Sequence, residues 1–195
     1  MDIISILVQG YVRKTGMGAL AASPSTVLVE THSQKILIDP GANPNLLLKA
    51  LSFRNLSAED VDIIFLTHYH PDHCLNLKLF SIQDVYDGST IYHNDIEIPY
   101  SHYIPDTDIE VVPTPGHTQE HSSLLIKTMT GTYAVAGDVF WWEEGQEPET
   151  DITSLLELPD PYAQDMHTLI ESRHKILELA DFIIPGHGKM FKVNR

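Results

Sequence analysis

The chain is short of cysteine, of basic residues and of long apolar runs, and each shortage closes off a class of protein. A single cysteine, Cys74, in 195 residues rules out an internal disulfide. Lys and Arg total 12 against 27 Asp and Glu, a net charge of −15. Phosphate backbones and anionic lipid are therefore repelled, and nucleic acid is a disfavoured partner. No cluster of Lys and Arg relieves that charge locally. The first ten residues, MDIISILVQG, hold only six consecutive apolar-type positions behind an early Asp2. A spanning helix needs about 20 apolar residues, and a secretory signal needs a basic start. No repeat of 20 to 50 residues is visible. The expectation is a soluble, cytoplasmic protein with no membrane partner.

Hydrophobic residues make up 43% of the chain and charged residues 20%. That suffices for one ordinary core, and residues 1–195 read as a single α/β domain. IISILV (3–8), TVLVE (26–30) and KILID (35–39) read as strands. Residues 10–24, with three glycines and Pro24, read as a loop. Asn43-Pro44 opens a helix running to Leu51, and VDIIFL (61–66) is the continuous apolar run of a buried strand. DIEVVPT (108–114) is a further strand, and SSLLIKT and TYAVAGD form a hairpin about Met129-Thr130-Gly131. Residues 143–165 carry eight acids and no base, and read as an exposed, irregular segment that could serve as a lid. A helix is expected from the Asp160-Pro161 cap, before a last strand at 182–184. Arg173 lies on that helix's apolar face and should be buried only if paired; an ion pair to the acidic segment is expected.

The chemistry concentrates in FLTHYHPDHCL, residues 65–75. In an extended segment alternate side chains share a face, so His68 and His70 can look into one cavity. Asp72 and His73 follow as the chain turns into a helix past Pro71. Imidazoles with a carboxylate suit Zn²⁺, and also Fe or Mn. One loop histidine alone would be an ordinary surface residue, but H-x-H-x-D-H in six positions points to metal. Three further candidates end other putative strands beside glycines: His117 in TPGHT, Asp138 in VAGDVF and His187 in IPGHGK. Cys74 is read as small core filling rather than a nucleophile. Tyr69 should point away from the ligands. Among the other histidines, His121 is the one to watch, because it follows His117 closely.

THYHPDH, PGHT, AGD and PGHG, in this order, resemble the metallo-β-lactamase-fold superfamily over essentially the whole chain. VAGDVFWWEEG, LPDPYAQ and SRHKILELADFIIPGHG resemble one branch of it more closely, although Leu75 stands where that branch more often has glycine. The resemblance implies a four-layer αββα sandwich with a dinuclear site. It implies that His68, His70 and His117 hold a first metal, that Asp72, His73 and His187 hold a second, and that Asp138 bridges both.

Two divalent ions, zinc before iron or manganese, would share a hydroxide that attacks a carbonyl centre, with Asp72 orienting it. Phe140 and Trp141, directly after Asp138, are the candidate substrate-binding residues. The expected activity is hydrolysis of a small ester, thioester, lactone or amide. A phosphodiesterase or nuclease and a mononuclear-iron, persulfide dioxygenase-like oxidoreductase are the alternatives. The partner is a small-molecule substrate, and a homodimer is compatible with the sequence.

Overall fold

Period-two alternation of apolar side chains explains the architecture. The computed structural model describes residues 2–194. Its first part contains β1 (Ile3–Val8), β2 (Tyr11–Lys14), β3 (Leu20–Ser23), β4 (Thr26–Glu30), β5 (Lys35–Ile38) and α1 (Pro44–Phe53). There follow β6 (Ile63–Phe65), α2 (Pro71–Cys74), β7 (Asp84–Tyr86), β8 (Thr90–His93) and β9 (Ile96–Pro99). The second part contains β10 (Glu110–Pro113), β11 (Ser122–Thr128), β12 (Gly131–Trp141), α3 (Ile152–Glu157), α4 (Met166–Leu179), β13 (Phe182–His187) and β14 (Phe191–Lys192).

One sheet runs β1-β4-β5-β6-β7-β8-β9 and the other β10-β11-β12-β13-β14. Within the first, β5, β6 and β7 are parallel neighbours. Within the second, β12 and β13 are parallel. Each inner strand feeds two layers. Val27, Val29, Ile36, Ile38, Ile63 and Phe65 face the other sheet and meet Leu124, Ile126, Val135 and Ile184. Leu28, Leu37 and Ile64, the residues between them, face outward against Leu47 and Leu51 of α1. On the far side, Leu125, Ala134 and Ile183 pack beneath Leu155 of α3 and Leu169, Ile176 and Leu177 of α4. This is the αββα sandwich expected from the sequence.

Some local expectations need correction. Residues 10–24 are not a plain loop: β2 and β3 form a separate two-stranded ribbon, Tyr11 opposite Ser23 and Lys14 opposite Leu20. The acidic stretch includes α3, capped by the Asp151 carboxylate on Ser154 N–H. The following helix starts at Met166, capped by Asp165 on Thr168 N–H, rather than at Asp160. Among the described residues, no helix is long and apolar enough to cross a membrane.

Candidate metal centre

The histidine-rich stretch leaves the end of β6 and is fixed by one buried carboxylate. Asp39, just past β5, accepts from Thr67 N–H at 2.9 Å and Thr67 Oγ1–H at 2.8 Å. Its Oδ2 also accepts from His73 Nδ1–H at 2.8 Å. Asp39 sits in the left-handed region, φ 49°, a conformation that costs a non-glycine residue energy and that aspartate tolerates better than most. The parallel β5–β6 pairing thus places Asp39 beside Thr67, and Asp39 then sets the course of residues 67–73. Pro71 opens the short helix α2, which carries Asp72 and His73.

The other sheet brings the remaining donors. His117 lies in the turn after β10, Asp138 within β12 and His187 at the end of β13. Two glycines make room. Gly137 has φ 49°, and a Cβ there would stand 2.6 Å from His121 Nε2. A Cβ on Gly186 would stand 1.9 Å from Asp138 Oδ1, a distance no packed atom tolerates.

The donors form two groups: His68, His70, His117 and Asp138, and Asp72, His73 and His187. Asp138 serves both. Its Oδ2 lies 3.3 Å from His117 Nε2 and 3.8 Å from His68 Nε2. Its Oδ1 lies 3.4 Å from His73 Nε2 and 3.5 Å from His187 Nε2. Asp72 Oδ2 lies 3.3 Å from His187 Nε2 and 3.8 Å from His73 Nε2. His70 presents Nδ1, 3.0 Å from His117 Nε2. A tetrahedral ion with bonds of 2.0–2.1 Å has donor–donor edges of about 3.3 Å, so these spacings fit such ions. His68 Nε2, His73 Nε2 and Asp138 Oδ1 are buried without a hydrogen-bond partner. A cation is what satisfies such inward lone pairs.

Four of the five imidazoles are oriented from behind. His68 Nδ1 pairs with Thr67 Oγ1 (3.0 Å), His73 with Asp39, His117 with Asp160 Oδ2 (2.6 Å) and His187 with Ser23 O (2.8 Å). With the proton on Nδ1, each leaves Nε2 facing inward. Where His187 and His73 carry a second proton at Nε2, they outweigh the burial that pushes the Asp72 carboxyl up and hold it below the usual range. Asp138 is held well below that range in the same way, chiefly by His187 and His73 against burial.

Asp160 is therefore not the helix cap expected of it. The His117 ring claims its Oδ2, and its Oδ1 accepts from Tyr162 N–H. Asp39 and the site role of Asp160 were not foreseen from sequence, since nothing local distinguishes them from other turn aspartates. His121 does belong to the centre, though not among the donors. Its Nε2 accepts from Asp138 N–H at 3.1 Å, which puts the proton on Nδ1, toward Thr114 Oγ1 at 2.9 Å. Burial pushes this imidazole down to about 3, so it stays neutral.

A cavity of about 460 Å³ opens over the donors. His70, Asp72, His117, Asp138 and His187 form its polar part. Trp141 lines it, 5.8 Å from the Tyr162 ring. Phe140, the other residue expected to contact substrate, does not reach it. A register irregularity between Gly137 and Trp141 breaks the strand's alternation. Phe140 is consequently fully buried under the helices, edge-on to Phe191. Arg173 covers its ring at 5.9 Å. Among the described residues, Arg173 forms no ion pair of the kind expected. It donates instead to the carbonyls of Val139, Leu156 and Leu158, which fastens α4 to the acidic segment. Tyr69 points outward and donates to Asp87 Oδ2. Cys74 is partly buried against the outer face of the first sheet.

Known proteins share this fold. A sequence profile of the metallo-beta-lactamase superfamily matches residues 21–102. Metallo-beta-lactamase domain-containing protein 1 of Xenopus laevis is 33% identical over 200 residues, covering 97% of this chain and 81% of that one. It represents the branch that the motifs around Asp138, Leu158–Gln164 and Arg173 resemble. Among solved structures, a Thermotoga maritima protein assigned to the metallo-beta-lactamases superposes with a TM-score of 0.70 at 20% identity, covering 98% of this chain and 99% of the other. A dizinc quorum-quenching lactonase, solved with its product N-hexanoyl-L-homoserine, superposes with a TM-score of 0.62 at 20% identity, covering 87% and 73%.

Proposed function

Because the chain belongs to the metallo-beta-lactamase superfamily, we propose that it is a metal-dependent hydrolase of a small ester, thioester, lactone or amide. The sharing of Asp138 between two donor groups carries this reading. With one oxygen toward His68 and His117 and the other toward His73 and His187, a single carboxylate can serve two ions. The donor set of imidazoles and carboxylates favours zinc, with iron or manganese as substitutes. His68, His70, His117 and Asp138 would hold one ion, and Asp72, His73, His187 and Asp138 the other. When bound, such a pair activates water at neutral pH and polarises a carbonyl oxygen.

The chain's own residues do the rest. Asp72 is only partly buried, and its carboxylate faces the cavity. It is the group that can orient a water by accepting its proton at Oδ. Trp141 supplies a flat wall that limits how the substrate lies. In the net reaction, water forms a new C–O bond at the acyl carbon and the bond to the leaving heteroatom breaks. One proton of the water passes to that heteroatom. The dizinc lactonase supports a lactone as one member of this substrate class.

Elemental analysis of the full chain, with turnover measured on thioester, lactone and phosphodiester panels, tests the reading. Two zinc ions per chain with carbonyl-substrate turnover support it. One iron per chain favours the oxidoreductase instead, and turnover of the phosphodiester alone favours the nuclease. Asp138→Ala should abolish metal retention and turnover together. Full turnover with two ions still bound in that variant would refute the assignment.

A further inference from the structure

No lysine or arginine lines the cavity above the donors among the described residues. Its walls are Val12, Leu20 and Ala22 from the β2–β3 ribbon, Leu75 after α2, and the Trp141 and Tyr162 rings. Leu20 is 51% exposed and Leu75 54%, which leaves apolar surface for a ligand to cover. The cations nearest in sequence to the lining residues Val12 and His187 each stand within 4 Å of an acid. Arg13 meets Glu144 at 3.7 Å, Lys14 meets Glu143 at 3.4 Å, and Lys189 meets Glu147 at 3.5 Å. Beyond Trp141, an adjoining cavity carries Glu149 and Glu157 as well. With the carbonyl end at the ions, an anionic tail lying along these apolar walls would lose its hydration and find no lysine or arginine beside it. An apolar group would cover Leu20 and Leu75 and gain by leaving water.

Resting on the hydrolase reading above, we propose that the substrate is a neutral carbonyl compound bearing a compact apolar group, and that Leu20, Leu75 and Trp141 are the wall residues that select it. Selection operates at the wall, away from the donors. Substrates that need a cationic anchor, such as carboxylate- or phosphate-tailed esters and thioesters, are turned away.

A matched pair of esters tests this with the metal-loaded full chain: 4-nitrophenyl hexanoate and mono-4-nitrophenyl adipate. Both have six-carbon acyl groups, and only the second ends in a carboxylate. The expected kcat/KM favours the hexanoate by about tenfold or more at fixed ionic strength. Leu20→Lys and Leu75→Lys alter exposed positions and should each narrow that preference by about fivefold or more, since a nearby cation attracts the adipate tail. Equal or reversed preference in the unmodified chain overturns the proposal, and an unchanged preference in both variants overturns the assignment to these walls. Binding is read separately by tryptophan fluorescence, with 2-octanone against 7-oxooctanoate. Tighter binding of the neutral ketone supports the selection even without turnover, and equal or tighter binding of the acid overturns it. Failure to hydrolyse either ester while the ketone preference holds counts against the hydrolase reading alone.

Discussion

At the scale of single residues, the donors are held by buried carboxylates behind them, Asp39 behind His73 and Asp160 behind His117. Spacing alone marks His68, His70, Asp72 and His73, because four donors crowded into six positions seldom occur except around a metal. Asp39 and Asp160 carry no such mark. Each becomes part of the centre only when distant strands and turns close over it, through His73 and His117 respectively. They should separate in experiment. Asp160→Ala should weaken retention of the ion held with His117, and Asp39→Ala that of the ion held with His73, each about 10–100-fold. Stepwise chelator titration followed by elemental analysis would read the difference. His121→Ala removes the acceptor for Asp138 N–H. It should loosen both ions by a similar factor, since Asp138 faces both groups, and the same titration would detect it. Phe140 behaves in the opposite way. Its place in the core predicts that Phe140→Ala costs about 3–5 kcal/mol of stability. Denaturant unfolding should register that loss, and metal retention by the remaining folded chain should stay near its original value.

At the scale of elements, strands with buried faces could be read directly, and short exposed ones could not. β4, β5 and β6 announce themselves by apolar residues on both faces. All four residues of β9 are exposed, and Ile91 is the one buried residue of β8, so neither shows the apolar run of a buried strand. Their joining turn did leave a trace in Asn94, which adopts φ 55° as asparagine does in tight hairpins. The helix boundary failed for a different reason. Asp160-Pro161 has the composition of a helix start, but His117 holds the Asp160 carboxylate, and Asp165 caps α4 instead. Tertiary demand overrode local preference. The close approach of β12 and β13 gives a prediction at this scale. Gly186→Ala would drive a methyl group into the space of Asp138 Oδ1. Metal retention should fall at least about tenfold, and elemental analysis after dialysis against the wild-type chain would show it.

At the scale of the whole molecule, the centre straddles the sandwich. His68 to His73 leave the seven-stranded sheet, while His117, Asp138 and His187 belong to the five-stranded one. Bound ions would therefore link the two halves, and their binding energy would add to folding stability. Free metal at about 1,000 times Kd adds roughly 4 kcal/mol. For a chain of this size that corresponds to about 8–16 °C in Tm. Calorimetry before and after exhaustive chelation should show a fall of that order, and an unchanged Tm would mean the ions do not join the halves. The β2–β3 ribbon belongs to neither large sheet, and it meets the donors through main chain, where Ser23 O accepts from His187 Nδ1–H. It contributes Val12, Leu20 and Ala22 to the cavity but none of the seven donors. Inherited changes in the ribbon's side chains can thus alter which molecules the cavity admits while the donor set passes from one generation to the next intact.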